Sequence, residues 1–153
     1  MVKKNKCVFC EIVAGRAPAF KVCEDELSLC LLDINPFAEG HCLVISKRHE
    51  PWWHDLTEKE VVSLFKLARK AANKIMKAYK PEFIGMYARG RRIPHTHIFL
   101  VPTVKDDLLD KYFNDLEKIQ EHSPQLAGLR DRKAMEQALK KLKKAKSTQG
   151  RRK

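Results

Sequence analysis

The sequence predicts an α+β domain in which an antiparallel sheet is covered by one long helix. Short apolar runs bounded by turn residues occur between residues 7 and 105, before and after a single segment whose apolar residues recur at helical spacing. Strands on both sides of one helix along the chain are typical of a sheet with the helix packed on one face. The 153 residues suffice for one domain of ordinary size with an appendage.

The first half of the chain predicts one helical turn and three strands. Residues 10–13 have the pattern of a helical turn. Residues 19–23 and 27–32 are apolar runs separated by the acidic turn 24–26, so we expect them to pair as a hairpin. Residues 41–45 are almost entirely apolar, which predicts a strand in the centre of the sheet.

The long helix begins at a capping-box signature, Thr57 followed by Glu60. Apolar residues then recur at helical spacing up to about Tyr79, and Pro81 ends the helix. The residues of this apolar stripe are Val61, Leu64, Leu67, Ala68, Ala71, Ile75 and Met76.

Two more strands are predicted after the helix, at residues 83–87 and at residues 93–101, the second ending before Pro102. Strand-like runs stop near residue 105. We therefore predict a domain over residues 1–105, a helical extension over 106–146 and a basic tail over 147–153. The extension is rich in Leu, Lys, Glu and Ala and predicts two helices.

Composition narrows the classes of protein to consider. Apolar residues make up 44% of the chain, but no run approaches the roughly 18–20 consecutive apolar residues of a membrane span, so we expect no membrane partner. The amino terminus lacks a secretory pattern, and five cysteines with a close pair do not suggest a disulfide framework. These features predict a cytoplasmic protein.

The positive charge is concentrated at the carboxyl terminus. The net charge is +12, and residues 133–153 hold nine Lys or Arg against Glu136 alone, a net charge of +8. Such a tail predicts binding to RNA or DNA, and the alternative is a solvated helix end without a partner.

Two histidines near the end of the domain are the first chemical signal. On a strand, His95, His97 and Phe99 point to one face, with successive members about 7 Å apart. One such imidazole can be an ordinary core histidine. Two of them directly after a basic turn favour a functional site.

The pair Cys7 and Cys10 is the second signal, because a Cys-x-x-Cys loop can supply two of the four ligands of a zinc ion. The residues leave the other ligands open among His49, His54 and His95. The alternative, a redox motif, would require a preceding strand, and none is predicted before residue 7.

Four ordered segments combine these signals. They are Cys7-x-x-Cys10, Leu32-Asp33-Ile34-Asn35-Pro36, Gly40 to His49, and Pro94-His95-Thr96-His97-Ile98-Phe99-Leu100-Val101-Pro102. In this order and spacing the chain resembles the histidine triad (HIT) family of nucleotide-binding hydrolases and transferases. The resemblance extends from about residue 7 to residue 102, nearly two thirds of the chain.

The resemblance implies a HIT fold, a five-stranded antiparallel sheet with one long helix, that forms a homodimer in which two sheets join. It also implies that His97 attacks a nucleotide α-phosphate and forms a nucleotidyl-histidine intermediate. Asp33 would hold the ribose hydroxyls, and an apolar base pocket would comprise Phe9, Ile12, Leu31 and Ile34. Structural zinc would be held by Cys7, Cys10, His49 and His95.

Two departures from the family pattern concern the phosphate site. Phe99 stands where the family has a third histidine, or a glutamine in one branch, so one polar group facing the phosphate is missing. The loop before the motif is short and places Arg91 where glutamine is usual. Arg91 and Arg92 can contact phosphate through their guanidinium groups, but with different geometry.

The sequence therefore supports two functional hypotheses. The first is a nucleotide phosphohydrolase or nucleotidyltransferase acting on a purine mononucleotide or dinucleotide, weakened by the incomplete triad. The alternative is a noncatalytic nucleotide- or RNA-binding module that uses the basic tail.

Two further features have structural interpretations. We expect His41 to lie at the start of a strand, and the Trp52–Trp53 pair to pack near the helix start or at an interface.

Overall fold

The computed structural model describes residues 7–146 and contains a five-stranded antiparallel sheet, which confirms the predicted fold class. The strands pair in the order β1-β2-β3-β5-β4, so β3 is central as expected and β1 and β2 form the predicted hairpin. Their bounds are Lys21–Glu24 (β1), Ser28–Leu32 (β2), Cys42–Ser46 (β3), Phe83–Tyr87 (β4) and His97–Thr103 (β5).

One long helix, α2 (Glu58–Tyr79), packs on the sheet. The predicted capping box is present, because the Thr57 side chain accepts from the Glu60 N–H while the Glu60 carboxylate accepts from the Thr57 N–H. The helix ends at Lys80, which adopts a left-handed conformation with a φ of 52°, immediately before Pro81.

The two faces of the sheet have separate apolar cores. One face packs on α2 through alternate strand residues such as Val44, Ile98 and Leu100. The opposite face is covered by the short helix α1 (Val8–Val13), and its buried residues are Phe9, Ile12, Leu29, Leu31, Leu43 and Ile45. Because side chains alternate along a strand, His97 and Phe99 lie on the α1 side, away from the long helix.

The last strand differs from the prediction at both ends. It begins at His97 rather than residue 93, because His95 and Thr96 are engaged by loop segments, with the Thr96 N–H donating to the Glu50 carbonyl. It also continues through Pro102, which pairs with Ile84. Pro102 is tolerated because pairing with β3 ends at Leu100, so the strand has a neighbour on only one side there.

Residues 7–105 and 106–146 belong to two different compact units. The second contains α3 (Leu108–His122), a 3-10 segment (Pro124–Arg130) and α4 (Arg132–Lys144). Asp107 and Asp131 cap the two helices with their side chains. Within residues 7–146, no helix combines the length and apolar character needed to cross a membrane.

Candidate active site and metal site

Three separate segments bring the predicted metal ligands together. Cys7 is the N-cap of α1 and Cys10 lies one turn later, so both thiols point to the same side of the helix. His49 follows β3, and His95 precedes β5. The two thiol sulfurs and one ring nitrogen from each histidine all lie within 4.8 Å of one another.

A backbone carbonyl fixes which nitrogen of His95 faces the thiols. His95 Nε2 is 2.7 Å from the carbonyl oxygen of Ser46, which can only accept, so Nε2 carries the proton. The lone pair of Nδ1 is therefore directed at the cluster, where Cys7 Sγ lies at 3.3 Å and Cys10 Sγ at 3.6 Å. A carbonyl that orients a ligating imidazole in this way is common at zinc sites.

The spacing of the donor atoms fits a tetrahedral zinc ion. His49 Nδ1 and His95 Nδ1 are 3.3 Å apart. Two nitrogen ligands at about 2.0–2.1 Å from a tetrahedral zinc ion lie roughly 3.3–3.4 Å apart. Two sulfur and two nitrogen donors also form one of the usual structural zinc sets, so the cluster could hold this metal.

Without a cation, the protein does not favour thiolate at this cluster. Burial, a hydrogen bond with Cys7 and the negative charges of Cys7 and Glu11 raise the pKa of Cys10 to about 11. A metal ion would reverse this preference, because it binds the deprotonated sulfur.

His97 is held as a neutral imidazole with a free Nε2. Its Nδ1 is 2.6 Å from the carbonyl oxygen of His95, so Nδ1 carries the proton and Nε2 carries the lone pair. Burial lowers the pKa of His97, partly offset by this hydrogen bond and by the charge of Asp33. A neutral imidazole with one unprotonated nitrogen has the protonation state of a nucleophile.

Phe99 lies on the same sheet face as His97, with the two ring centroids 5.0 Å apart. Its ring stacks on Tyr87 at 4.5 Å with an interplanar angle of 9° and also contacts His41 at 5.8 Å. The aromatic ring of Phe99 therefore occupies the position next to the candidate nucleophile.

His41 contacts the site in a way that the sequence interpretation missed. Its Nδ1 accepts the N–H of Phe37 at 3.2 Å, which leaves the hydrogen on Nε2. The ring is buried, and Nε2 has no hydrogen-bond partner within residues 7–146 but lies 3.7 Å from Asp33 Oδ2. Burial lowers the pKa of His41, so this is a contact of a neutral ring with a carboxylate and not an ion pair.

The residues expected to surround the nucleoside differ in accessibility. Asp33 follows β2 and is partly buried, with Oδ1 accepting the Asn35 N–H at 2.7 Å. Phe9, Ile12 and Leu31 belong to the buried cluster under α1, where Phe9 contacts the His97 ring at 5.2 Å. The side chain of Ile34, in contrast, is 84% exposed.

A cavity of about 210 Å³ opens beside His97. Its walls are the segment 51–54, the turn 88–91, Thr96 and His97 itself. Arg91 therefore lines the same cavity as the candidate nucleophile, whereas Arg92 is exposed and does not line it. His54 also lines the cavity. It is not part of the metal cluster, which contains His49, so the alternative in which His54 is a metal ligand is not supported.

Comparison with known proteins agrees with this geometry. A family model described as the HIT domain matches residues 14–106, more than half of the chain. The chain belongs to the HIT family. The matched range includes Asp33, His49, His95 and His97, while Cys7 and Cys10 precede it.

Two HIT relatives carry the names of nucleotide-cleaving enzymes. Adenylylsulfatase HINT3 from Arabidopsis thaliana is 35% identical over 111 residues, which cover 69% of this chain and 56% of that protein. Adenosine 5'-monophosphoramidase hnt1 from Schizosaccharomyces pombe is 34% identical over 106 residues, covering 66% of this chain and 77% of that protein. The match thus spans little more than half of the Arabidopsis protein.

A solved structure shares the fold of the HIT unit. It is a zinc-bound histidine triad family protein from Mycobacterium smegmatis, with a TM-score of 0.61 and 28% identity. The superposition covers 74% of this chain and 96% of that chain.

Proposed function

We propose that this HIT protein cleaves a nucleotide at its α-phosphate, with His97 as the nucleophile, and passes the nucleotidyl group to water or another acceptor. The tautomer of His97 carries the proposal, because the 2.6 Å contact of Nδ1 with the His95 carbonyl leaves the lone pair on Nε2. The relatives named for adenylylsulfatase and monophosphoramidase activities support nucleotide chemistry of this class.

The proposed reaction has two displacements at phosphorus. In the first, Nε2 of His97 forms a bond to the α-phosphorus, and the bond to the leaving group breaks with its electron pair. The imidazole becomes cationic, and its Nδ1–H remains hydrogen-bonded to the His95 carbonyl. In the second, water attacks phosphorus and the electron pair of the P–N bond returns to Nε2, so the nucleoside monophosphate leaves with the oxygen of water. The proton that water releases to solvent balances the one that the leaving group takes up.

Asp33 and the α1 side of the sheet would bind the nucleoside. The Asp33 carboxylate is the proposed acceptor for the ribose hydroxyls, and its negative charge favours the cationic form of His97. Phe9 packs against the His97 ring, so the apolar residues of this region would form the wall nearest the reacting atoms. The nucleotide is proposed to be a purine mononucleotide or dinucleotide.

We assign a structural role to zinc at Cys7, Cys10, His49 and His95. When bound, the metal would cross-link α1 to the loop that follows β3 and the loop that precedes β5. The metal ligand His95 also positions His97, because the backbone carbonyl of His95 accepts the Nδ1–H of His97.

The noncatalytic alternative is favoured by one observation, the stacking of Phe99 on Tyr87 together with its tilted contact with His41. An apolar ring at this position supplies no proton and no hydrogen bond to a phosphate. In that case, the site would bind a nucleotide without cleaving it.

Turnover and chemical trapping separate the two functions. Purified protein is mixed with adenosine 5'-phosphoramidate and with diadenosine polyphosphates, then quenched rapidly and examined for a nucleotidyl group on His97. We expect the adduct and turnover in the wild type and neither in His97→Ala. His122→Ala is the matched control, because His122 lies exposed in the second unit. Nucleotide binding with no adduct and no turnover would establish the binding module instead.

A homodimer remains an expectation of the family resemblance. The outer edge of β4 supports it, because β4 is the last strand of the sheet and pairs only with β5 among the described residues. An open edge can pair with the same strand of a second copy. Sedimentation velocity should give the mass of two chains, and the mass of one chain would contradict this expectation.

A further inference from the structure

The cavity beside His97 has no role in the assignments above. We name it the Trp52 pocket after one of its two tryptophans, and its other walls are Pro51, Trp53, His54, the turn 88–91, Thr96 and His97. Its volume of about 210 Å³ is several times the space that one water molecule requires. A small leaving group such as ammonia would leave most of it empty.

The strand register places this pocket at the opposite end of the site from Asp33. Leu32 pairs with Cys42, and Cys42 pairs with Leu100, so Asp33 follows β2 at the Leu100 end of β5. His97 lies three residues away along β5, about 10 Å. The turn 88–91 extends β4 past Tyr87, which pairs with Phe99, and therefore lies toward His97.

A nucleotide held at Asp33 would thus present its α-phosphate to His97 with the Trp52 pocket beyond. Ribose and leaving group are different substituents of the same phosphorus and depart from it in different directions. With the ribose directed to Asp33, the pocket is the space available to the leaving group.

The walls combine aromatic rings with positive charge. Trp52 is 37% exposed, and the rings of Trp52 and His54 are parallel within 11°, with centroids 6.4 Å apart. Arg89 and Arg91 add two guanidinium groups, and no carboxylate lines the pocket. Arg91 forms no ion pair with any acidic residue in the range 7–146. Indole faces stack on planar rings, and guanidinium groups bind phosphate.

The pocket is a built feature, because its walls are fastened to one another. The N–H and the hydroxyl of Thr96 both donate to the Glu50 carbonyl, at 2.6 and 2.8 Å, which holds the tryptophan segment beside His97. Gly90 lies so close to this segment that a Cβ there would come 3.0 Å from the Pro51 carbonyl oxygen. A side chain at position 90 would require the Pro51 carbonyl to move by a few tenths of an ångström.

We infer that the Trp52 pocket binds the leaving group and favours a planar aromatic group that carries negative charge, such as a nucleoside phosphate, over ammonia or sulfate. This inference rests on the proposed function, because a leaving group exists only if the α-phosphate is attacked. Trp52 and Arg91 are the residues assigned to this specificity.

A ratio of two substrates tests the inference. Diadenosine triphosphate and adenosine 5'-phosphoramidate present the same adenylyl group but release a nucleoside diphosphate and ammonia, respectively. Trp52→Ala should lower the ratio of their kcat/KM values about 10-fold or more, by the loss of ring stacking. Trp52→Phe should retain most of the ratio, and Arg91→Gln should lower it. Phe20→Ala and Arg69→Gln, exposed residues outside the pocket, should leave it unchanged.

Binding to the His97→Ala protein gives a second readout that needs no turnover. We expect diadenosine triphosphate to bind about 10-fold more tightly than AMP, and addition of Trp52→Ala should remove this difference. An unchanged substrate ratio in both Trp52→Ala and Arg91→Gln, with the phosphoramidate still cleaved, would overturn the inference and leave the proposed function intact. If the wild type cleaves neither substrate, the proposed function fails. In that case, equal affinities of the His97→Ala protein for diadenosine triphosphate and AMP would overturn the pocket assignment as well.

Discussion

His95 is the residue that connects the candidate metal site with the candidate nucleophile. Its Nδ1 faces the two thiols, its Nε2–H donates to the Ser46 carbonyl, and its own carbonyl accepts from His97. A displacement of His95 would therefore change the protonated nitrogen or the orientation of His97. Loss of metal should affect catalysis through position, without the metal contacting the substrate.

The first prediction concerns the two thiols. Cys7→Ser together with Cys10→Ser should reduce bound zinc from about one per chain to none, because half of the ligands are lost. The free energy of unfolding should fall by about 3 kcal/mol, the stabilisation that a ligand at roughly 100 times its Kd provides. Metal analysis and urea unfolding measure the two effects. Cys23→Ser is the control, and full metal content in the double variant would refute the site.

The second prediction concerns Phe99. Phe99→His restores a polar ring beside His97 and should raise turnover, on the order of 100-fold by analogy with one missing oxyanion donor. Some packing energy should be lost, about 1 kcal/mol, because the ring stacks on Tyr87. Single-turnover rates with adenosine 5'-phosphoramidate measure the effect, with Phe99→Leu as the apolar control. A lower rate in a folded Phe99→His protein would show that Phe99 has a role of its own.

Individual residues could be predicted where side-chain chemistry carries the signal. A Cys-x-x-Cys pair and two histidines on one strand face are chemically unusual, so these four residues stood out in the sequence. The residues alone left His49, His54 and His95 open as the remaining metal ligands, and the structure brings His49 and His95 to the thiols. Ser46 did not stand out, since it acts through its backbone carbonyl, which every residue possesses. The role of His41 depends on the burial of its ring beside Asp33. The only signal next to His41 in the chain is Gly40, whose φ is +83°.

At the scale of the secondary-structure elements, the start of α2 is held by the side chain of Glu60. Glu60 closes the capping box and also accepts two hydrogen bonds from Arg48, at 2.6 and 2.8 Å. These contacts fix the start of the helix against the segment that leads to His49. The Arg48 hydrogen bonds and those of Thr57 lower the pKa of Glu60 to about 2, against an ordinary value of 4.5.

The third prediction is the pH dependence that follows from this pKa. Because the folded pKa is the lower one, the stabilisation is complete above about pH 4.5 and disappears as pH falls toward 2. Glu60→Gln should cost about 1–2 kcal/mol at pH 7, a value reduced for the partial exposure of Arg48. Urea unfolding of both proteins should show this difference shrinking between pH 4.5 and 2. Glu58→Gln is the exposed control, and a pH-independent difference would contradict the assignment.

The presence of a helix or strand could be predicted from the sequence more accurately than the residues at which it begins and ends. The capping box and the apolar stripe specify α2 almost residue by residue, because both signals are local. The start of β5 is not local. It depends on the Glu50 carbonyl, 46 residues earlier in the chain, which engages Thr96 before the strand can pair.

At the scale of the whole molecule, the positive charge is concentrated at the carboxyl-terminal end of the chain. Residues 1–132 carry a net charge of only +4, whereas residues 133–153 carry +8. In the second unit, large apolar side chains such as Tyr112, Leu116 and Leu142 are more than half exposed. The division into a HIT domain, a helical extension and a tail stays a prediction, since nothing observed tests whether each part folds independently.

The last prediction concerns binding of polyanions by the carboxyl-terminal segment. Lys140, Lys141, Lys143, Lys144 and Lys146 are exposed, and the first four lie on α4. The rest of the predicted tail, residues 147–153, lies outside the part of the chain that the structure describes. If these cations neutralise phosphates, the logarithm of the affinity for RNA should fall linearly with the logarithm of the salt concentration.

Truncation after Ala138 removes eight Lys or Arg residues, so the magnitude of the slope for single-stranded RNA should fall by up to about 6. AMP binding should be unchanged, because Asp33 and His97 are retained. A full-length variant with these eight residues replaced by Gln separates charge from chain length and should behave like the truncation. Filter binding between 50 and 200 mM salt, roughly the range over which such contacts are lost, measures both slopes. Equal RNA affinity with and without the segment would leave it as a solvated helix end, since a cation that contacts phosphate must release a counterion when it binds.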